Sequence, residues 1–121
     1  MVTLKQTQIT EPANFVSDGI FTVQRPSVEN GDVLTVDISL QRYDDYANTS
    51  VSWTLNNGFT LIDSSGDSSS MNHHLTAYKV ITDSANEPSS YDFQSDLSGD
   101  WNYSAVAAAW GGVDKDNPVP T

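Results

Sequence analysis

Residues 34–40 alternate without a break: Leu34, Val36, Ile38 and Leu40 are apolar, and Thr35, Asp37 and Ser39 between them are polar. A period of two suits a pleated strand with one face buried and one in water, because successive side chains point to opposite sides. The pattern returns in Val51, Trp53 and Leu55, and again in Tyr91 and Phe93 around Asp92. Over 101–110 it places Trp101, Tyr103, Ala105, Ala107 and Ala109 on one face, and the small residues predict close packing against a facing sheet. Ile20–Gln24 reads as a strand that Pro26 ends, and 75–82 as another with Tyr78 and Val80 on one side. Ser, Thr, Asn, Asp and Gly fill the intervals, and these favour turns over helix interiors.

Glu29-Asn30-Gly31-Asp32 forms a tight turn ahead of 34–40. Asn56-Asn57-Gly58 follows 51–55, which predicts a hairpin between 51–55 and 59–62. A loop is expected from Asp63 to Ser70. About seven short strands with polar turns predict an all-β fold, an antiparallel β-sandwich of Ig-like or jelly-roll-like form. The first eighteen residues carry little apolar payload: Val2 and Leu4 alternate weakly and Pro12 interrupts. They read as an extended N-terminal arm (1–18) ahead of the sandwich domain (19–121).

A length of 121 residues suits one domain. Five basic against sixteen acidic residues give a net charge of −11. Such a polyanion repels phosphate backbones and anionic lipid, and Lys5, Arg25, Arg42, Lys79 and Lys115 are scattered, so neither nucleic acid nor membrane is expected as a partner. There is no cysteine, hence no disulfide and no thiolate metal site. No basic cluster followed by an apolar run opens the chain, and 104–113 is too short to span a bilayer, so a soluble product of the cytoplasm is expected.

Candidate chemistry is thin. His73 and His74 are adjacent, so in a strand they point to opposite faces and cannot jointly grip an ion; a site would need Asp63, Asp67 or symmetry-related copies, and both histidines are expected to be solvated. No GxSxG elbow accompanies the many serines. Asp44-Asp45 and the Asp96/Asp100 pair stand in hydrophilic contexts that would not raise a carboxyl pKa, and they read as solvated acids. Asp114-Lys115-Asp116-Asn117 has alternate oxygen ligands but lacks the glycine and distal glutamate of a calcium loop, and Pro118 argues for a turn. Asn48-Thr49-Ser50 and Asn102-Tyr103-Ser104 match a glycosylation pattern that nothing else in the chain supports. No catalytic residue, metal ligand or cofactor is assigned. Trp53 is in phase with a core face; Trp101 follows Ser98-Gly99-Asp100 at a loop edge; Trp110 opens onto Gly111-Gly112, where missing side chains let another chain or loop come close.

One set of landmarks runs in order across 19–120: Arg25-Pro26, then Asn30-Gly31-Asp32-Val33-Leu34, Gly58-Phe59-Thr60-Leu61-Ile62, Ala77-Tyr78-Lys79-Val80, Glu87-Pro88-Ser89-Ser90-Tyr91-Asp92-Phe93, and Ala108-Ala109-Trp110-Gly111-Gly112-Val113-Asp114 ending at Asn117-Pro118. In this order they resemble the β-sandwich domain of tailed-phage virion proteins, capsid decoration (cement) or tail-associated, also seen in bacterial surface proteins. Phe59 stands where that family usually carries tryptophan. The resemblance implies a structural protein of the virion surface, made in the host cytoplasm, which stabilises an assembled head and is not an enzyme. Its implied partners are the major capsid protein and other copies of itself, grouped as trimers.

Related proteins continue past the Asn-Pro landmark with further strands. An edge of this sandwich is therefore expected to need a partner, supplied by the N-terminal arm or a neighbouring copy. Val2, Leu4 and Ile9 in the arm, with Trp101, Trp110, Gly111 and Gly112, are the expected interaction residues. The alternative is a receptor- or glycan-binding module in which exposed Trp101 and loop acids contact sugar.

Overall fold

The longest unbroken alternation forms the middle of the larger sheet. Val33–Gln41 is strand β3, and its inward side chains Leu34, Val36, Ile38 and Leu40 are all buried while Asp37 is exposed. The computed structural model describes residues 2–12, 14–41, 51–65, 72–97 and 99–113. Around β3 stand β1 (Thr3–Thr10), β2 (Ile20–Gln24), β4 (Trp53–Thr54), β5 (Thr60–Ser65), β6 (Asn72–Val80), β7 (Ser90–Ser95) and β8 (Asn102–Gly111), with one 3-10 turn at Ser84–Asn86. They form two antiparallel sheets, ordered β1-β8-β3-β6-β5 and β2-β7-β4, packed as a sandwich.

The core is what two inward-facing stripes produce when they meet. Phe21 and Val23 of β2 with Tyr91 and Phe93 of β7 face the β3 stripe, Leu75 and Ala77 of β6, and Ala105 and Ala107 of β8. Phe21 meets the Tyr103 ring edge-on at 5.1 Å between centroids, and Phe59 meets Tyr91 at 4.9 Å and Phe93 at 5.1 Å, tilted arrangements that suit aromatic quadrupoles. The β8 alanines do what their size predicts: β2 lies over β8, and Ala105, Ala107 and Ala109 are at most 1% exposed.

Three expectations need correction. The 51–55 and 59–62 segments do not form a hairpin. β4 pairs with β7 in the small sheet, whereas β5 pairs with β6 in the large one. The Asn56–Phe59 turn, with Asn57 at φ 61° and Gly58 at φ 83°, carries the chain from one layer to the other. Trp53 and Phe59 then enter the same core from opposite sheets, and that shared burial outweighs the local pairing the turn would allow. The loop expected from Asp63 does not begin there: β5 absorbs a register shift between Leu61 and Asp63 and continues to Ser65, and 66–70 lie outside the described residues.

His73 is the third. It is 1% exposed, in register with inward-facing Leu40, and its ring lies 5.4 Å from that of Trp101, so it belongs to the core; only His74 is exposed. The alternation that separates the two rings also decides which one is buried.

The arm is an edge strand. β1 runs antiparallel along β8 from Thr3 opposite Gly111 to Thr10 opposite Ala105. No strand of the small sheet lies under most of it, and from Thr3 to Ile9 its side chains are exposed on both faces.

Candidate interaction surface

Lys5 fixes how β1 is seated. The ladder with β8 shifts register between Leu4 and Gln6, and Lys5 is the extra residue. Its ammonium reaches both carboxylate oxygens of Asp32 and Glu29 Oε2, each at 3.0 Å. Asp32 is 4% exposed and also accepts the Glu29 backbone N–H at 2.9 Å, so it closes the Glu29–Asp32 turn while holding the strand. Hydrogen bonds to these carboxylates raise the Lys5 pKa above its ordinary value of 10.5. A Cβ on Gly111 would lie 3.1 Å from Lys5 Cδ, so the chain that comes close to this glycine is β1 itself.

Strand phase then decides what the surface presents. Leu4 is opposite Trp110, which is opposite Val33, itself opposite Val80; Ile9 is opposite Val106. These side chains lie on the outer face of the large sheet, away from the core. Leu4 is 48% exposed, Ile9 58% and Val106 39%. Trp110 is half-buried along the sheet, its Nε1 donating to Thr35 Oγ1 at 2.9 Å. Val2 and Phe15 add exposed apolar surface at the two ends of the arm. Gly112 is exposed at φ 72°.

Trp101 does not belong to this surface. Reciprocal backbone hydrogen bonds with Val16, at 2.8 and 2.9 Å, place it at the start of the β8 phase, and its side chain is fully buried. Its parity with Tyr103 and the alanines prevails over its position beside a loop. Val106 was missed, and parity was the signal that could have found it: it alternates outward between inward-facing alanines.

The landmarks that carried the resemblance converge at one end of the sandwich. Lys79 Nζ contacts Glu87 Oε2 at 2.8 Å, donates to the Asn57 carbonyl, and lies 5.6 Å from the ring centroids of both Phe59 and Tyr91. Tyr91 Oη donates to the same Glu87 oxygen at 2.6 Å. Arg25 donates to the carbonyls of Pro26, Glu87 and Pro88. Burial, with Glu87 adding to it, pushes the Tyr91 pKa well above its ordinary value of 10.0. Every strong donor there is engaged internally, so the cluster reads as a structural clamp.

An open cleft of about 420 Å³ lies at the other end of the outer face. Asn72, Gln41 and Asn102 stand abreast on β6, β3 and β8, with Ser39, Ser104, Glu11 and Pro12 beside them.

Asp96 is a turn residue, accepting the Ser52 N–H at 2.8 Å, and Asp100 is exposed. Among the described residues no three His, Cys, Asp or Glu side chains are grouped to hold a metal ion. Asp44-Asp45, Asn48-Thr49-Ser50, Asp67 and Asp114 to Asn117 lie outside the described residues. No protein-family model, curated protein or solved structure matches the chain.

Proposed function

We propose that this chain is an adhesive structural protein, and that its setting is the one the resemblance implies: a capsid decoration protein on the head of a tailed phage. The observation that carries the reading is the outer face along β1 and β8, where Ile9 stands opposite Val106 and Leu4 opposite Trp110, with Leu4, Ile9 and Val106 all exposed. A strand that leaves its apolar side chains in water presents surface for a protein partner. Binding only the assembled shell would stabilise it by mass action, and repetition over a lattice multiplies weak contacts. The charge of −11 keeps coated particles apart.

Shells stripped of the chain and titrated with it should saturate at a fixed ratio per capsomer. Val106→Lys, which puts a charge on the outer face opposite Asp37 without touching the β1 edge, should weaken attachment about tenfold or more while leaving unfolding within about 0.5 kcal/mol of the wild type. Unchanged attachment by this variant, or no saturable binding, contradicts the reading.

The amide row supports a second reading, a glycan-binding module. Neutral amides and hydroxyls match vicinal diols, and the chain's negative charge disfavours anionic sugars. Under this reading the contact moves from Trp101 to Asn72, Gln41 and Asn102, and calorimetric titration with neutral oligosaccharides tests it.

A further inference from the structure

We propose that the free edge of β1 pairs with the β1 edge of a second copy, antiparallel about a two-fold axis at Thr7. The inference rests on the adhesive reading and names one of its partners. β1 is bonded to β8 on one side only, and among the described residues no strand borders its other side. Sheet edges of this kind are usually guarded by outward charge, proline or a covering segment. Thr3–Thr10 contains no proline, and its single charge, Lys5, is turned back onto Asp32 and Glu29.

The other edges are poorer templates. β5 carries the acid Asp63, which a second acidic copy would oppose; β4 has two residues; on β2 the Gln24 N–H is already taken by Thr10 Oγ1 at 3.0 Å. Charge selects the same place. Two copies at −11 repel, so contact is favoured where acids are absent, and residues 2–10 contain none.

The sequence of β1 is also self-complementary in this register. Thr7 faces outward and lies on the axis. Gln6 then opposes the copy's Gln8 on the inner side. With Lys5 again the extra residue, Leu4 opposes Ile9 on the outer side and Thr3 opposes Thr10. The register shift that fits β1 to β8 thus also fits β1 to itself. An eight-residue ladder makes a small interface, so the free dimer is weak and is reinforced when copies are held on a lattice.

Sedimentation velocity of the full chain tests this. The wild type should move from monomer to dimer as concentration rises. Thr7→Glu and Thr7→Lys each place like charges across the axis and should dissociate about tenfold or more readily, while their equimolar mixture restores the dimer. A wild type that stays monomeric, variants that dimerise as it does, or a mixture no better than either variant overturns the proposal. Because the chain lacks cysteine, Thr7→Cys adds a direct reading: it should form a self-disulfide under mild oxidation, and Ile9→Cys should not. Shell binding without a dimer discards this inference alone; a dimer without shell binding discards the shell as the partner.

Discussion

Two tyrosines show how burial acts on one side chain type. Tyr91 is buried in the core and Tyr103 is half-buried against it, and burial raises both phenol pKa values; the Tyr103 hydroxyl donates to the Thr22 carbonyl at 2.7 Å, a bond only the protonated phenol can make. Lys5 is raised by its carboxylates. All three stay protonated at neutral pH whether folded or not, so their stabilisation is complete there. Above about pH 10 the unfolded chain releases tyrosine protons first, and stability falls as pH rises toward the folded values. Tyr91→Phe should cost about 1 kcal/mol near pH 7, where Glu87 keeps Lys79 as partner, yet show a shallower alkaline decline than wild type. Urea midpoints at neutral and alkaline pH check both signs.

At the scale of the element, strand positions were legible because period two is written into side chains that must be buried. β2, β3, β7 and β8 were read within a residue or two, down to the inward stripe of β3 and the alanine face of β8. Partners were less legible. Asn56-Asn57-Gly58 has hairpin chemistry, but whether a tight turn joins neighbours or changes layers depends on where Trp53 and Phe59 find burial, which is not a local property. Polarity predicts a solvated His73 and loop proximity an exposed Trp101, yet strand phase buries both. Leu4 and Ile9 of the arm are exposed, since an edge strand beyond the core has nothing to bury them.

Gly19, between the arm and β2, has φ 74°, and a Cβ there would lie 2.8 Å from the Leu97 carbonyl oxygen and 3.0 Å from that of Ser95. Both are backbone atoms and cannot swing aside. Gly19→Ala should therefore lower stability by about 1–3 kcal/mol in urea unfolding, and a neutral result would show that the arm junction is looser than described.

For the whole molecule, one end of the sandwich and one edge of its larger sheet divide the labour. The clamp of Lys79, Glu87, Tyr91 and Arg25 satisfies its own donors, whereas β1 and the outer face of β8 leave both backbone edge and apolar side chains available. None of this second property could be read from composition, because it depends on β1 extending past the small sheet. The direct measurement is hydrogen exchange of the chain free in solution and mixed with the phage shells proposed as its partner. The account predicts added protection confined to residues 2–10 and 104–110. Unchanged exchange there, with protection instead over β2, β4 or β7, would contradict it.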